Sequence, residues 1–243
     1  MDNGGLAFEA AEIVSRKSGI RAVTRTIGGV KITDARLDAR AAARTGKRAG
    51  RYITLEGEPS ARGMTALFHR ALLQVLPPRG RIFTAGLGNP DITQDSLGAL
   101  AVRSMTAGKG RRFSLSAIET DVAARTGLDT ARLVRAAARG LGADCVIAVD
   151  ALACRDPRYI GRTVQISDAG IIPGGGAGAA RTELSRGQLG LPIAAVGVPT
   201  VSALSSVTGK KDDRALLITT ADIDVVVKMW AEVIGGGIGA LAE

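Results

Sequence analysis

The stretch Cys145-Val146-Ile147-Ala148-Val149 constrains the fold more than any other part of the chain, because five apolar residues in a row stand between Asp144 and Asp150. A strand this uniformly apolar has no side it can turn to water, so it must be covered on both faces, as the central strands of a parallel sheet are. Similar runs occur at 81–89 (RIFTAGLGN) and 191–201 (LPIAAVGVPTV), and 51–57 (RYITLEG) alternates as a strand does. Between them lie segments with apolar residues at helical spacing: 64–76, ending at Pro77-Pro78, the segment from Asp95 to about Met105, and 129–141. Strands alternating with amphipathic helices predict an α/β fold, a central mainly parallel sheet with helices on both faces, in a single domain over 1–243. Residues 221–241 read as a C-terminal helix weakened by Gly235-Gly236-Gly237, and 6–17 as a short helix or ordered leader. The charged, Ala-rich segment 34–49 reads as a solvated helix or loose loop, and 106–127 as an insertion.

Composition closes off several kinds of function. Aromatic residues make up 3% of the chain, too few to build the stacking platforms of a single-strand nucleic-acid binder. The 32 Lys and Arg against 23 Asp and Glu give a formal charge of +9, which favours encounter with acidic partners but is equally met by an Arg-rich solvated surface. Cys145 and Cys154 lack metal-site or redox spacing and read as buried thiols. No stretch of about 18 uninterrupted apolar residues occurs and the first residues carry no signal-peptide pattern, so a cytoplasmic protein without a membrane partner is expected. The single histidine, His69, falls inside a helical apolar pattern, which leaves Ser-His-Asp, Cys-His and His-rich zinc chemistry poorly supplied.

Carboxylates remain. In GLGNPDITQDSLG (86–98) a Gly-rich turn follows a strand and Thr93 or Asp95 stands where a helix would be capped. In VIAVDALACR (146–155) Asp150 follows a buried run, so its carboxylate is expected at the strand's carboxyl end, where loops carry chemistry in such folds. In QISDAGIIPGGGAG (165–178) Asp168 precedes a Gly-rich loop whose amides could approach a peptide or an oxyanion. Each has a plain structural alternative: an N-cap for Asp95, a loop anchor for Asp150, a flexible turn for Asp168. Two carboxylates brought together can share a proton and divide acid and base roles, and the spacing of Asp95 and Asp150 permits this. Asn89, Thr93, Asp168, Gly174 and Gly175 are candidates for a supporting loop.

Taken in order, LAFEAAE, YITLEGEP, GLGNPDITQDSLG, VIAVDALACR, TVQISDAGIIPGGGAG with TELS after it, and LPIAAVGVPTV resemble the germination proteases over most of residues 6–205. The resemblance implies a fold similar to hydrogenase-maturation endopeptidases and a cytoplasmic, spore-core endopeptidase acting on small acid-soluble spore proteins, with DNA nearby only through those substrates. It implies Asp95 and Asp150 as the catalytic pair, no cofactor and no obligatory metal, and a self-processing zymogen whose leader, about residues 1–10, is cut near Glu9 and Ala10, in a segment (FEAAE) similar to the substrate sites. A homo-oligomer is expected. The C-terminal portion looks reduced relative to the family, and Ala179-Ala180 stand where it tends to carry Asn and Lys. Two other readings compete: a peptidyl-tRNA hydrolase, for which the required histidine after the GLGN turn is missing, and a non-catalytic basic module that binds spore proteins or DNA.

Overall fold

The structure, a computed structural model, describes residues 19–173, 182–210 and 216–243. Its frame is a ten-stranded sheet. The strands are β1 (Ile20–Ile27), β2 (Val30–Leu37), β3 (Gly50–Glu56), β4 (Gly80–Gly86), β5 (Gly108–Lys109), β6 (Phe113–Glu119), β7 (Cys145–Cys154), β8 (Thr163–Ser167), β9 (Ile193–Ala203) and β10 (Leu217–Ile218). They run in the order β1-β2-β3-β8-β9-β7-β4-β6-β5, with β10 beside β9.

The centre is parallel, as expected: β6, β4, β7 and β9 are joined by parallel pairings. The antiparallel half was not foreseen. β9 continues through β8 and β3 into the β2–β1 hairpin, every pairing there antiparallel. The segment 34–49 begins as the end of β2 and becomes helical only from Ala39 to Thr45, where Asp38 Oδ1 accepts the Ala41 N–H at 2.8 Å as an N-cap. The supposed insertion at 106–127 contains β6, a full member of the parallel centre.

One face of the sheet is covered by the helices Met64–Leu72, Leu97–Ser104 and Ile223–Gly239, which bury Phe68, Leu97 and Trp230 against Ile53, Ile147, Ile166 and Val196. The other face is covered by the helices Thr130–Gly140 and Arg186–Leu189 over Phe83, Ala85, Val146 and Ala148. β7 lies between these two layers, which is the reason for its apolar run. The C-terminal helix with its short 3₁₀ tail is long and apolar enough to cross a membrane by length and composition. Half of that stretch is buried inside the protein, where the Trp230 indole N–H donates to the Gly161 carbonyl at 2.6 Å. Its apolarity is accounted for by a core position.

Candidate functional site

β4 ends at Gly86, paired with Val149 of β7, and one further bond, from the Leu87 N–H to the Val149 carbonyl (2.8 Å), carries the chain across. Asp150 is therefore the first residue of β7 beyond its pairing with β4. The strand itself does not end there. It runs on to Cys154 with only β9 beside it, so Asp150 lies within a strand and not at its end as the sequence suggested. Its side chain projects from the face of Val146 and Ala148, and the residue is 1% exposed. A carboxyl group at that depth is costly unless partnered. The Ala151 N–H donates to its Oδ1 at 3.0 Å.

The Asp95 loop is built around close backbone contacts. A Cβ on Gly86 would overlap the Gly98 carbonyl, and one on Gly98 would overlap Leu87 and come within 2.5 Å of the Val149 carbonyl, so the helix Leu97–Ser104 starts directly on the strand ends. Gly88 takes φ +95°, a conformation that L side chains rarely adopt, and turns the chain under Asp95. The Asp95 carboxylate accepts the Asn89 N–H at 2.7 Å, closing the loop on itself. It does not cap the helix: Ser96 is the N-cap residue and no side-chain cap bond is made. Asp95 belongs to a 3₁₀ turn, Thr93–Asp95, that lies against both β7 and β9. The Thr200 hydroxyl on β9 donates to the Gln94 carbonyl at 2.7 Å and ties the turn down. Thr93 contributes its carbonyl, which accepts the Ser96 hydroxyl at 2.9 Å.

Outside this loop stands a clamp that the sequence reading missed. Arg125 Nη1 donates to Asn89 Oδ1 (3.1 Å) and Asp91 Oδ2 (2.5 Å), and its Nε lies 3.4 Å from Asp121 Oδ2. Asp121 is held at φ +57°, and the Thr120 hydroxyl donates to the Gly86 carbonyl at 3.2 Å. The arginine thus fixes Asn89, and Asn89 fixes Asp95.

Gln165 was also missed. Cross-strand register places Asp150 beside Gly197, Gly197 beside Gln165, and Gln165 beside Thr54, and residues so paired project from the same face. Gly197 contributes no side chain to that row, and Leu152 fills the space over it, packing 2.5 Å from where a Cβ on Gly197 would lie. A Gln between Val164 and Ile166, the two apolar residues of β8, was the available signal.

The other sequence candidates fall elsewhere. Asp168 is exposed, accepts the Arg51 N–H at 2.7 Å and secures the end of the β3–β8 pairing. That is the end of the sheet at which β7 begins, three register positions from the Asp150 row. Gly174 and Gly175, and the proposed cleavage position Glu9–Ala10, lie outside the described residues. His69 Nδ1 stands 2.9 Å from the Gly237 carbonyl and joins two helices. Among the described residues no three His, Cys, Asp or Glu side chains gather as metal ligands would. Clefts of about 480 and about 330 Å³ lie elsewhere on the described residues, and neither is lined by Asp95 or Asp150.

Comparison with known proteins bears on this geometry. The family model for germination protease matches residues 7–216. A germination protease of Halalkalibacterium halodurans is 33% identical over 234 residues, covering 86% of this chain and 63% of the relative. One from Bacillus mycoides is 34% identical over 242 residues, covering 87% and 66%. The chain thus spans a little under two thirds of the length of the relatives it matches. Among solved structures, the [NiFe] hydrogenase maturation protease HycI from Thermococcus kodakarensis aligns with TM-score 0.44 at 19% identity, covering 69% of this chain and 98% of that one.

Proposed function

Because the chain belongs to the germination protease family, we propose that it is an aspartate-dependent endopeptidase that begins the breakdown of small acid-soluble spore proteins during germination in the spore core. The observation that carries the aspartate assignment is the seating of the 3₁₀ turn of Asp95 on β7 and β9, the two strands that pair at Asp150 and Gly197. One carboxyl is buried and set by the sheet; the other is half-buried and set by a loop. Two such environments give two carboxyls different proton affinities, the condition for one to act as base while the other acts as acid.

In the proposed reaction the ionised member of the pair takes a proton from a water whose oxygen attacks the scissile carbonyl carbon. The protonated member then gives its proton to the departing amide nitrogen as the C–N bond breaks. Gln165, two strands from Asp150 in the same register row, would hydrogen-bond the substrate carbonyl or the water. A zymogen cut near Glu9, and a homo-oligomer as the working form, belong to the same proposal.

The test is incubation of purified protein with an α/β-type small acid-soluble spore protein, comparing wild type, Asp95→Asn and Asp150→Asn, with fragments read by mass spectrometry. Cleavage after Glu by wild type, lost in both variants with their folds intact, supports the reading. Cleavage that survives both substitutions removes the aspartate pair. An intact substrate under every condition, including after removal of residues 1–10, leaves a binding module in place of a protease.

A further inference from the structure

The larger cleft lies far from the aspartates, at the antiparallel edge of the sheet. Its floor is the apolar face of the first three strands, Ile27, Ile32 and Ile53, and its wall is the outer side of the Met64–Leu72 helix with Leu67 and Ala71. About 480 Å³ is within the range of ordinary ligand pockets, about 300–1,000 Å³. Arg25 and Arg70 line it.

The register extends this basic rim. Arg25 pairs with Ile32, Arg21 with Arg36 and Arg36 with Arg51, so all four arginines project from the face that carries the cleft. The one carboxylate among these positions, Asp34, is engaged by Arg51 through Nε–Oδ1 (3.0 Å) and Nη2–Oδ2 (2.6 Å). That bond, aided by the charges of Arg36 and Arg25, holds the Asp34 carboxyl below its usual range. Among the described residues Arg21, Arg25, Arg36 and Arg70 make no ion pair.

β1 adds two further features. It stands at the sheet edge with β2 as its one strand neighbour among the described residues. It also exposes Val23 (69%) and Ile27 (44%) on the cleft side. Exposed apolar side chains on an open edge strand are a liability in a free protein and a resource in one that receives a partner.

We propose that this edge is a docking site for an acidic segment of another polypeptide, extended along β1, with an aliphatic side chain in the cleft flanked by carboxylates that meet Arg25 and Arg70. A strand added at the edge sends alternate side chains to one face, so apolar and acidic residues two apart would fall on the cleft and its rim. A nucleic acid fits less well, since its phosphates make no use of an apolar floor and no aromatic ring lines the cleft for a base to stack on. A second copy of the chain would set arginine against arginine across the interface. The proposal stands independently of the aspartate assignment, because it uses none of the same residues.

The experiment is fluorescence anisotropy with a labelled peptide in which glutamate and leucine alternate at every second position with threonine between them, so that both fall on one face, about as long as the eight residues of β1, its mass checked before and after. A leucine–lysine peptide and a single-stranded DNA oligonucleotide of similar length serve as comparisons. Wild type should bind the leucine–glutamate peptide saturably and the leucine–lysine peptide not at all. Affinity should fall at least about tenfold in the double variant Arg25→Glu, Arg70→Glu, and again when salt is raised to about 0.5 M, as screened charges require. Val23→Thr, an exposed change that leaves every charge in place, should weaken binding by about threefold if the apolar contact contributes. Absence of saturable peptide binding, or binding unchanged in the double variant, overturns the proposal. So does oligonucleotide binding that is lost in the double variant while the peptide goes unbound.

Discussion

Gly235, Gly236 and Gly237 offer a test of the packing that three adjacent substitutions can resolve. All three lie within one helix at ordinary helical φ, so alanine can take up the backbone at each. Replacing glycine with alanine inside a helix gains about 0.8–1.0 kcal/mol from reduced chain entropy. What differs is the space. A Cβ on Gly236, which is exposed, would meet Thr65 Cγ2 at 3.5 Å, an ordinary contact. A Cβ on Gly235 would lie 2.7 Å from the Ala101 carbonyl oxygen and from the Ser104 backbone, so a neighbouring helix would have to shift as a body. A Cβ on Gly237 would overlap Phe68 Cδ1, and that ring is completely buried with no free side to turn to.

Overpacking of this kind costs about 1–3 kcal/mol, more where backbone must move. Set against the propensity gain, Gly235→Ala and Gly237→Ala are each expected to lose about 1–2 kcal/mol, and Gly236→Ala to gain about 0.5–1 kcal/mol. For a chain of this size that is a Tm about 2–8 °C lower at the outer positions and about 1–4 °C higher at the middle one. Urea unfolding followed by circular dichroism, with thermal melts alongside, measures all three. If the three variants are stabilised alike, propensity governs, and the close approach of the C-terminal helix to Met64–Leu72 and Leu97–Ser104 is refuted.

Removing the Arg125 clamp with Arg125→Ala is expected to lower kcat about 10–100-fold, with KM and folding stability little changed, because it displaces Asn89 and through it Asp95. Arg125→Lys should recover part of that loss, and an unchanged kcat would show that the loop holds its shape without the clamp. Burial pushes the Tyr52 phenol up to about 12, with the hydroxyl donating to the Arg48 carbonyl. The folded state therefore keeps a proton that the unfolded chain gives up near pH 10, so stability should be whole below pH 10 and fall as pH rises towards 12. Tyr52→Phe should flatten that slope in urea titrations. Burial likewise pushes the Cys145 thiol up to about 12, so iodoacetamide at pH 8 should leave it unmodified in the folded protein and alkylate it in urea, as mass spectrometry would read.

What could be read from the sequence follows how local each signal was. β7, β4 and β9 announce themselves through apolar runs, because strands covered on both sides need no pattern beyond being apolar. β1 does not: all but the first of its eight residues are exposed, so IRAVTRTI has no inward stripe to detect. β2 starts with a clear alternation at Val30 and Ile32, but Asp34 and Arg36 occupy the same face beyond the edge of the covering helix, and the pattern dissolves into what reads as a charged helix. The glycine triplet read as weakness because its merit lies in the bodies packed against it, which propensity does not register.

The two aspartates divide along the same line. Asp95 belongs to a loop whose turn at Gly88, bond from Asn89 and helix start at Leu97 fall within thirteen residues, so its outline was legible, while the ties from Arg125 and Thr200 come from elsewhere in the chain and were not. Asp150 is defined by its neighbours. Nothing in VIAVDALACR says that β4 stops one residue short of it, that the strand continues to Cys154, or that β9 presents a glycine beside it and β8 a glutamine beyond. The apolar run before it marks that residue as a buried carboxylate, whereas its surroundings come from three separate strands. The distinction bears on mobility as well as on reading. A loop-borne carboxyl can adjust with its loop, through Arg125 and Asn89, while a sheet-borne one keeps its place unless the register itself moves. Changes at Arg125 are therefore expected to act on the Asp95 loop and to leave Asp150 in its strand.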